Sequence, residues 1–186
     1  MRRAALRTAA ALVAVLSLAG CIDSTSPILV DAEPVFGPRL KLQFYSLREG
    51  YAHQPSQGEY RWNGGLYAHA GGKTGELGGF SVHPFENGDY IVQTVPSGRI
   101  HTTEYALLRP VAQGVFRAVA IDQDDADHAT RLAYCRKAEK SACRIETREQ
   151  LFAFARATAA LPKQDGALVI RLPDGRRPAG GRKRKR

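Results

Sequence analysis

The alternation of hydrophobic and polar residues predicts a series of β-strands between about residue 39 and residue 121. Leu40, Leu42 and Phe44 alternate with Lys41, Gln43 and Tyr45, which is the period-two pattern of a half-buried strand. Further short runs with strand character fall at 58–62, 66–69, 80–85, 90–95, 105–111 and 115–121. Because these runs follow one another through short connections, an antiparallel meander is the simplest sheet they can form.

Turn residues separate the runs at three places. Asn87-Gly88 supplies the positive φ angles that a tight hairpin turn needs, so 80–95 is the clearest predicted hairpin. Asn63-Gly64-Gly65 and Ala112-Gln113-Gly114 mark two more turns. Pro110 cannot donate a ladder hydrogen bond, so its strand is expected at a sheet edge.

After Ile121 the hydrophobic period becomes that of a helix. A first helix is predicted over 126–137, with Ala129, Leu132 and Ala133 at helical spacing. A second helix begins at Thr147, which forms a capping box with Gln150. Its apolar face contains Leu151, Phe154, Ala155 and Leu161, interrupted by Thr158, and Pro162 follows its end.

A final strand over 167–172 places Leu168, Ile170 and Leu172 on one side. Strands followed by two helices and a closing strand predict an α+β domain built on an antiparallel β-meander sheet. The pattern leaves open whether that sheet stays open under the two C-terminal helices or curls into a small barrel.

The first twenty residues have the layout of a secretory signal peptide. Arg2, Arg3 and Arg7 make a basic start, and the apolar run that follows is too short to span a bilayer. The next residues, Leu18-Ala19-Gly20-Cys21, resemble the lipobox of bacterial lipoproteins. Two alternatives stay open: an ordinary secretory signal with Cys21 as a spare thiol, and twin-arginine export through Arg2-Arg3.

The lipobox resemblance implies that residues 1–20 are removed and that Cys21 carries a diacylglycerol. The new amino terminus is often acylated as well, with palmitate or a similar chain, and two or three chains hold a protein stably on a membrane. In this family an Asp directly after the cysteine retains the protein in the inner membrane. Since Ile22 follows here and Asp23 comes one position later, the resemblance favours the outer membrane, facing the periplasm.

Residues 21–38 are rich in Ser, Pro and Asp and are interpreted as the lipidated cysteine and a flexible tether. A single domain is then expected over 39–175. The net charge of +9 lies mostly outside that domain, because the signal carries three basic residues and the last eleven residues carry seven. Subtracting three and seven from +9 leaves −1 for residues 21–175, so no nucleic-acid partner is expected.

The tail over 176–186 lacks any large apolar residue and is predicted to be disordered. It ends in Arg182, Lys183, Arg184, Lys185 and Arg186. Outside the cytoplasm the candidate partners for this anion-binding tail are anionic lipid, lipopolysaccharide phosphates and acidic cell-wall polymers. A solvated tail with no specific partner is the plainer alternative.

Cys135 and Cys143 are an isolated pair with seven residues between them. In an oxidising envelope such a pair is expected to form a disulfide, since no local signature supports a catalytic thiol. The loop is short, so closing it stabilises the fold by about 2 to 3 kcal/mol.

The acidic residues Asp122, Asp124, Asp125 and Asp127 form the densest group of possible metal ligands. Their spacing fails the EF-hand pattern, which needs acids at alternate positions and a central Gly. Helix capping is the plainer interpretation, because acids at a helix start accept hydrogen bonds from free backbone amides.

Two scattered sets of side chains complete the candidates. The histidines lack metal-ligand spacing and occur at His53, His69, His83, His101 and His128. The aromatic residues Tyr60, Trp62, Tyr67, Phe80, Phe85 and Tyr90 suit either sheet packing or a stacking face for sugars.

No nucleotide loop or nucleophile motif occurs in the sequence, and no cofactor is implied. The sequence therefore predicts an envelope lipoprotein with a binding or scaffolding domain. A hydrolase whose site is assembled from distant strands and a barrel for a small apolar ligand remain as alternatives.

Overall fold

The computed structural model describes residues 22–47, 56–71, 79–95, 103–135, 143–162 and 166–172. Within these ranges the chain forms nine strands and two α-helices. The strands are β1 Asp23–Ser24, β2 Arg39–Ser46, β3 Ser56–Trp62, β4 Tyr67–His69, β5 Phe80–Pro84, β6 Tyr90–Thr94, β7 Thr103–Ala112, β8 Val115–Ala120 and β9 Ala167–Leu172. The helices are α1 His128–Tyr134 and α2 Arg148–Ala160, and short 3-10 turns occur at Glu86–Gly88 and Gln123–Asp125.

The sheet closes into an eight-stranded antiparallel barrel. Strands β2 to β8 form the predicted meander, in which each strand pairs with the next. Strand β9 then lies between β8 and β2, so that Val169 is opposite Phe44 on one side and Phe116 on the other. The barrel alternative that the sequence left open is therefore the one that forms.

The barrel has two distinct ends. The turns at 63–66, 85–89 and 113–114 lie at one end, called here the turn end. Strand β1 pairs with Thr103 and Glu104, the first residues of β7, and so defines the opposite end, called the β1 end. Strand β1 takes the place beside β7 that β8 leaves when it ends at Ala120, because β8 pairs with β7 only from Ala106 onwards.

The barrel interior is one hydrophobic core, and the alternation predicted for β2 is confirmed there. Leu40, Leu42 and Phe44 are buried inside the barrel. Among the aromatic residues, the ring of Phe80 contacts those of Tyr60 and Tyr67, with ring centroids 5.1 and 5.5 Å apart. These three rings thus serve as packing and do not form an exposed stacking face.

A second hydrophobic core lies outside the barrel wall, between β6 to β8 and helix α2. Leu107 packs there with Leu151 and Phe154, while its neighbour Leu108 points into the barrel. The run over 105–108 is buried throughout, because this part of the wall is covered on both faces.

Helix α2 begins with the predicted capping box. The Thr147 hydroxyl accepts a hydrogen bond from the Gln150 amide, and the Gln150 side chain accepts one from the Thr147 amide. Leu151, Phe154 and Ala155 are buried as predicted, whereas Leu161 is exposed because the helix ends one residue before it.

Helix α1 differs from its prediction in length and in the face it buries. It covers only 128–134 within the described residues, and Leu132 is 58% exposed on a face shared with Ala129 and Ala133. The contact between α1 and the core comes instead from Tyr134, at the end of the helix, whose ring centroid lies 6.5 Å from that of Phe154.

Leu168, Ile170 and Leu172 share one side of β9, as predicted, and that side faces outward, while Ala167 and Val169 point into the barrel. An eight-stranded barrel has a narrow interior, which favours the smaller side chains. Pro110 is not on an edge strand, but β6 pairs with β7 only as far as Leu108, so Pro110 has β8 alone beside it.

Residues 22–38, expected to be a tether, instead pack on the barrel. Ile22 is 0% exposed, Leu29 is buried against the outer wall, and Phe36 is buried in the interior core. These residues are spaced too widely to show a strand or helix period, which is why the pattern did not reveal them. The fold therefore begins at Ile22 in the described chain.

The side chain of Gln93 on β6 fastens this N-terminal segment. Its carbonyl oxygen accepts hydrogen bonds from the amides of Ile28 and Leu29 at 2.9 and 2.8 Å. Its amide nitrogen donates to the Leu29 carbonyl at 2.9 Å. Since Gln93 is buried, water cannot take its place as the hydrogen-bond partner of these backbone groups.

We expect Gln93→Leu to lower the free energy of unfolding by about 2 to 4 kcal/mol, because it leaves buried backbone groups without partners. Denaturant titration followed by the fluorescence of Trp62 measures this. Gln57→Leu, at an exposed position of β3, is the matched control and should have little effect. Equal stability of the two variants would contradict the role assigned to Gln93.

Candidate functional site

The barrel interior contains a cavity of about 50 Å³. It extends from Phe36 at the turn end to Phe44 and Ala167 near the β1 end. Apart from Arg171 its lining is apolar and consists of Phe36, Leu42, Phe44, Phe80, Val82, Val92, Ala106, Leu108, Phe116, Ala118, Ala167 and Val169. The shape and lining suit an apolar group.

Phe36 closes the turn end of this cavity. Its ring lies 5.4 Å from that of Tyr90 and 5.2 Å from that of Phe116, measured between centroids. The Tyr67 hydroxyl accepts a hydrogen bond from the Phe36 amide and donates one to the Gly37 carbonyl, both at 3.0 Å. The Arg171 guanidinium carbon lies 5.9 Å from the Phe36 ring centroid, so the one charged lining residue is at this closed end.

The size of the cavity limits what it can hold. A buried apolar cavity of about 150 Å³ stays dry and binds benzene, so a volume near a third of that holds a group of only a few heavy atoms. Eight strands enclose an interior just wide enough for side chains or one small ligand. The barrel is therefore a nearly filled core with a small apolar space along its axis.

The phenols inside the barrel are unsuited to act as bases. Burial raises the pKa of Tyr60 to about 12, and burial also raises the pKa of Tyr67. Both stay protonated at neutral pH. The described residues that line the cavity carry no carboxylate, imidazole or thiol, so this space offers shape and apolar contact.

Ser81 and His83 form a polar pair on the outer face of β5. His83 Nε2 lies 2.8 Å from Ser81 Oγ, and Gln93 Nε2 donates to the same oxygen at 3.2 Å. A Ser–His contact is the start of a nucleophilic site when a carboxylate orients the imidazole. Here the charge that acts on His83 is the guanidinium of Arg148, which has the opposite sign, and Ser81 is only 3% exposed. The two side chains therefore satisfy each other's hydrogen bonds within the packed wall and do not form a nucleophilic site.

The four aspartates of the acidic group have different hydrogen-bond and ion-pair partners. Asp122 caps the 3-10 turn by accepting from the Asp124 amide at 2.9 Å, and Asp127 caps α1 by accepting from the Thr130 amide at 2.7 Å. Asp125 accepts from the Thr158 hydroxyl at 2.7 Å. The contacts of Asp122 and Asp127 are those that helix capping predicts, whereas the contact of Asp125 joins the 3-10 turn to α2.

Asp124 lies 3.7 Å from the Arg131 guanidinium, so it too has a protein partner. Across the part of the chain that is described, no group of three or more His, Cys, Asp or Glu side chains is arranged to hold a metal ion.

Cys135 and Cys143 lie at disulfide distance, with Cα atoms 5.1 Å apart. Cys135 directly follows α1 as its C-cap residue, and Cys143 is buried in the core under α2. The pairing predicted from their spacing therefore fits the geometry of the fold.

Several predicted residues lie outside the described ranges. Cys21 is one, and the basic tail residues 182–186 are others. His53 and His101 are outside as well.

Sequence reasoning missed the ion pair that joins a hairpin turn to α2. Arg109 Nη2 donates to Asp89 Oδ2 and to the carbonyl of Ala159, both at 3.0 Å. Asp89 is buried, and an acid directly after Asn-Gly in a hairpin was the only local signal available.

Comparison with protein-family models, with curated proteins and with solved structures finds no match for the chain. The class of the protein therefore rests on its own geometry: a closed eight-stranded barrel with an apolar interior, one helix-covered wall and an N-terminal segment packed along it. None of the helices in the described ranges has the length and apolar character needed to cross a membrane.

Burial and the positive charge of Arg148 lower the pKa of His83. In the unfolded chain the imidazole of His83 takes up a proton near pH 6.5, whereas in the folded protein it does so only at lower pH. The free energy of unfolding should therefore decrease as the pH falls from about 6.5 towards the pKa of the folded state. We expect His83→Gln to weaken this decline between pH 8 and pH 5. Denaturant midpoints measured across the range test it, with His128→Gln, at an exposed position of α1, as the matched control. Parallel profiles for wild type and His83→Gln would refute the assignment.

Proposed function

We propose that this protein is a bacterial envelope lipoprotein, in which lipid on Cys21 holds a small binding or scaffolding barrel at a membrane surface. The observation that carries the proposal is the Leu18-Ala19-Gly20-Cys21 sequence, which stands directly before the first residue of the fold. A signal, a lipidation site and a folded domain then follow one another without an intervening segment. This order is what an exported, lipid-anchored domain requires.

Two features support export. Cys135 and Cys143 lie at disulfide distance, and such pairs persist in an oxidising envelope. Residues 21–175 carry a net charge of −1, so this part of the chain lacks the positive charge that would attract nucleic acid. The outer membrane, facing the periplasm, is the proposed location because Ile22 occupies the position after the cysteine. The basic residues 182–186 add a proposed contact with anionic lipid, lipopolysaccharide or wall polymer.

Metabolic labelling with a clickable palmitate analogue tests the anchor. We expect the wild type to carry the label and to fractionate with the outer membrane, and Cys21→Ser to lose both properties. The double variant Cys135→Ser, Cys143→Ser is the matched control and should keep the label, because it removes thiols without touching the lipobox. Unlabelled wild-type protein free in the periplasm would overturn the proposal.

A small apolar ligand is the second candidate function, and the cavity lining favours it. Twelve of the thirteen lining residues are apolar, and the space lies along the barrel axis. The occupant must be small, or must be the end of a longer chain, because the volume is about 50 Å³.

Filling the cavity tests this second function. Ala106 is buried and lines the space, so Ala106→Leu should occupy it and reduce binding of an apolar fluorescent probe. Ala133→Leu, on the exposed face of α1, should leave binding unchanged. Native mass spectrometry of the purified wild type would show a retained ligand directly. A probe that binds both variants equally would place its site outside the barrel and remove this candidate.

A further inference from the structure

The ring of Phe36 fills the turn end of the barrel interior, although the chain on both sides of it lies at the surface. In the stretch from residue 30 to residue 39, all of which the structure describes, Phe36 is the only buried side chain, and Val30 is 70% exposed. Phe36 lines the cavity of about 50 Å³ together with strand residues such as Leu108 and Phe116. A single side chain of a surface segment therefore closes this end of the cavity.

Few hydrogen bonds hold this segment against the barrel. Its two ends are fixed, because the buried Gln93 side chain binds the backbone of Leu29 and the Pro38 carbonyl accepts a hydrogen bond of 3.0 Å from the last residue of β3. Among the described residues, the hydrogen bonds that join 30–37 to the barrel are the two made by the Tyr67 hydroxyl. The segment between the fixed ends is therefore released when these two hydrogen bonds break.

Gly37 gives the chain a pivot directly beside the ring of Phe36. Its φ is +87°, a conformation that glycine adopts at no steric cost, and apart from its chain neighbours no atom lies within 4 Å of the position that a Cβ would take. Rotation there moves Phe36 without displacing β2, which begins at Arg39. Once the ring has left, its space adds to that of the cavity, and the interior accommodates a longer apolar group.

Arg171 places a positive charge at the same end of the barrel. It is exposed, and it is the one charged residue among the described residues that line the cavity. Its guanidinium carbon lies 5.9 Å from the Phe36 ring centroid, which is within the range of a cation–π contact. Within the described residues no carboxylate forms an ion pair with Arg171, whereas Arg109 and Arg156 each bind one. Withdrawal of the ring thus leaves a cation at the mouth of an apolar space.

We propose that the barrel binds a short unbranched carboxylic acid, whose chain replaces the Phe36 ring in the cavity and whose carboxylate pairs with Arg171. The proposal rests on the second function proposed above, the binding of a small apolar ligand, and names the class of that ligand. The apolar interior takes the hydrocarbon chain, and the exposed guanidinium takes a charge of opposite sign that stays in contact with water. A neutral ligand of the same length gains nothing from Arg171.

Calorimetric titration of the purified full-length protein with octanoate and with 1-octanol tests the ligand class, because the two share a chain length and differ in charge. We expect the wild type to bind octanoate more tightly. Arg171→Gln should weaken octanoate binding by about fivefold and leave 1-octanol binding unchanged. Arg61→Gln is the matched control and should change neither affinity, since Arg61 is exposed on the outer face of β3 at the same end.

Hydrogen exchange tests the displacement of Phe36. A ligand ordinarily slows exchange of the amides that it covers, but octanoate should speed exchange over residues 30–37, since the Phe36 amide loses its Tyr67 partner. The same peptide should not respond in Ala106→Leu, whose larger side chain occupies the cavity. Phe36→Ala should bind both ligands about tenfold more tightly, because no ring has to leave before the ligand enters. Exchange in the wild type decides the point even if Phe36→Ala folds poorly.

The possible failures have different meanings. Equal affinity for octanoate and 1-octanol, or an Arg171→Gln variant that binds octanoate as the wild type does, would overturn the carboxylate assignment and leave the apolar-ligand function intact. Exchange over 30–37 that is unchanged or slower with octanoate bound would overturn the displacement of Phe36. If neither ligand binds to the wild type or to Phe36→Ala, the second proposed function itself fails.

Discussion

Pairing of β9 with both β2 and β8 is the interaction on which the rest of this structure depends. Without β9 those two strands would have unpaired edges, which invite pairing with other chains. The ladder places Val169 between Phe44 and Phe116, so the same strand completes the interior core. Closure thus removes both edges and seals the apolar interior in one step.

The barrel wall under α2 shows how the fold accommodates more apolar residues than its interior can hold. Leu107 and Leu108 are adjacent on β7 and are buried in different cores. The outer core is completed by α2 and by the N-terminal segment, which Gln93 holds in place. A barrel with a narrow interior can therefore still bury a large hydrophobic area.

The sequence predicted the parts of the fold that depend on local pattern. The alternation around Leu42, the Asn87-Gly88 turn and the Thr147 capping box all appear where the pattern places them. Closure was not predictable, because β9 has apolar residues on both faces, Ala167 and Val169 inward and Leu168, Ile170 and Leu172 outward. An alternating pattern does not say which face is inside. The packing of residues 22–38 on the barrel was not predicted, because isolated apolar residues with long spacings carry no periodic signal.

The candidate site was predictable only in part. The isolated spacing of Cys135 and Cys143 suffices to predict that they pair, and capping rules account for Asp122 and Asp127. The cavity depends on residues from six strands and on Phe36, which come together only when the barrel closes and which no sequence motif groups. The proposed functions therefore rest on the geometry of the barrel and on the lipobox-like sequence Leu18-Ala19-Gly20-Cys21.

Barrel closure also has a kinetic consequence. Phe44 and Val169 pair although 125 positions separate them, and β9 is the last strand of the described chain. Contacts between residues so far apart in sequence slow folding, because the chain loses the conformational entropy of a large loop before the strand pairing stabilises it. The barrel cannot close until β9, which ends at Leu172, has been synthesised. For the export proposed above, this late position of the closing strand would supply a delay that keeps the chain unfolded and competent for transport.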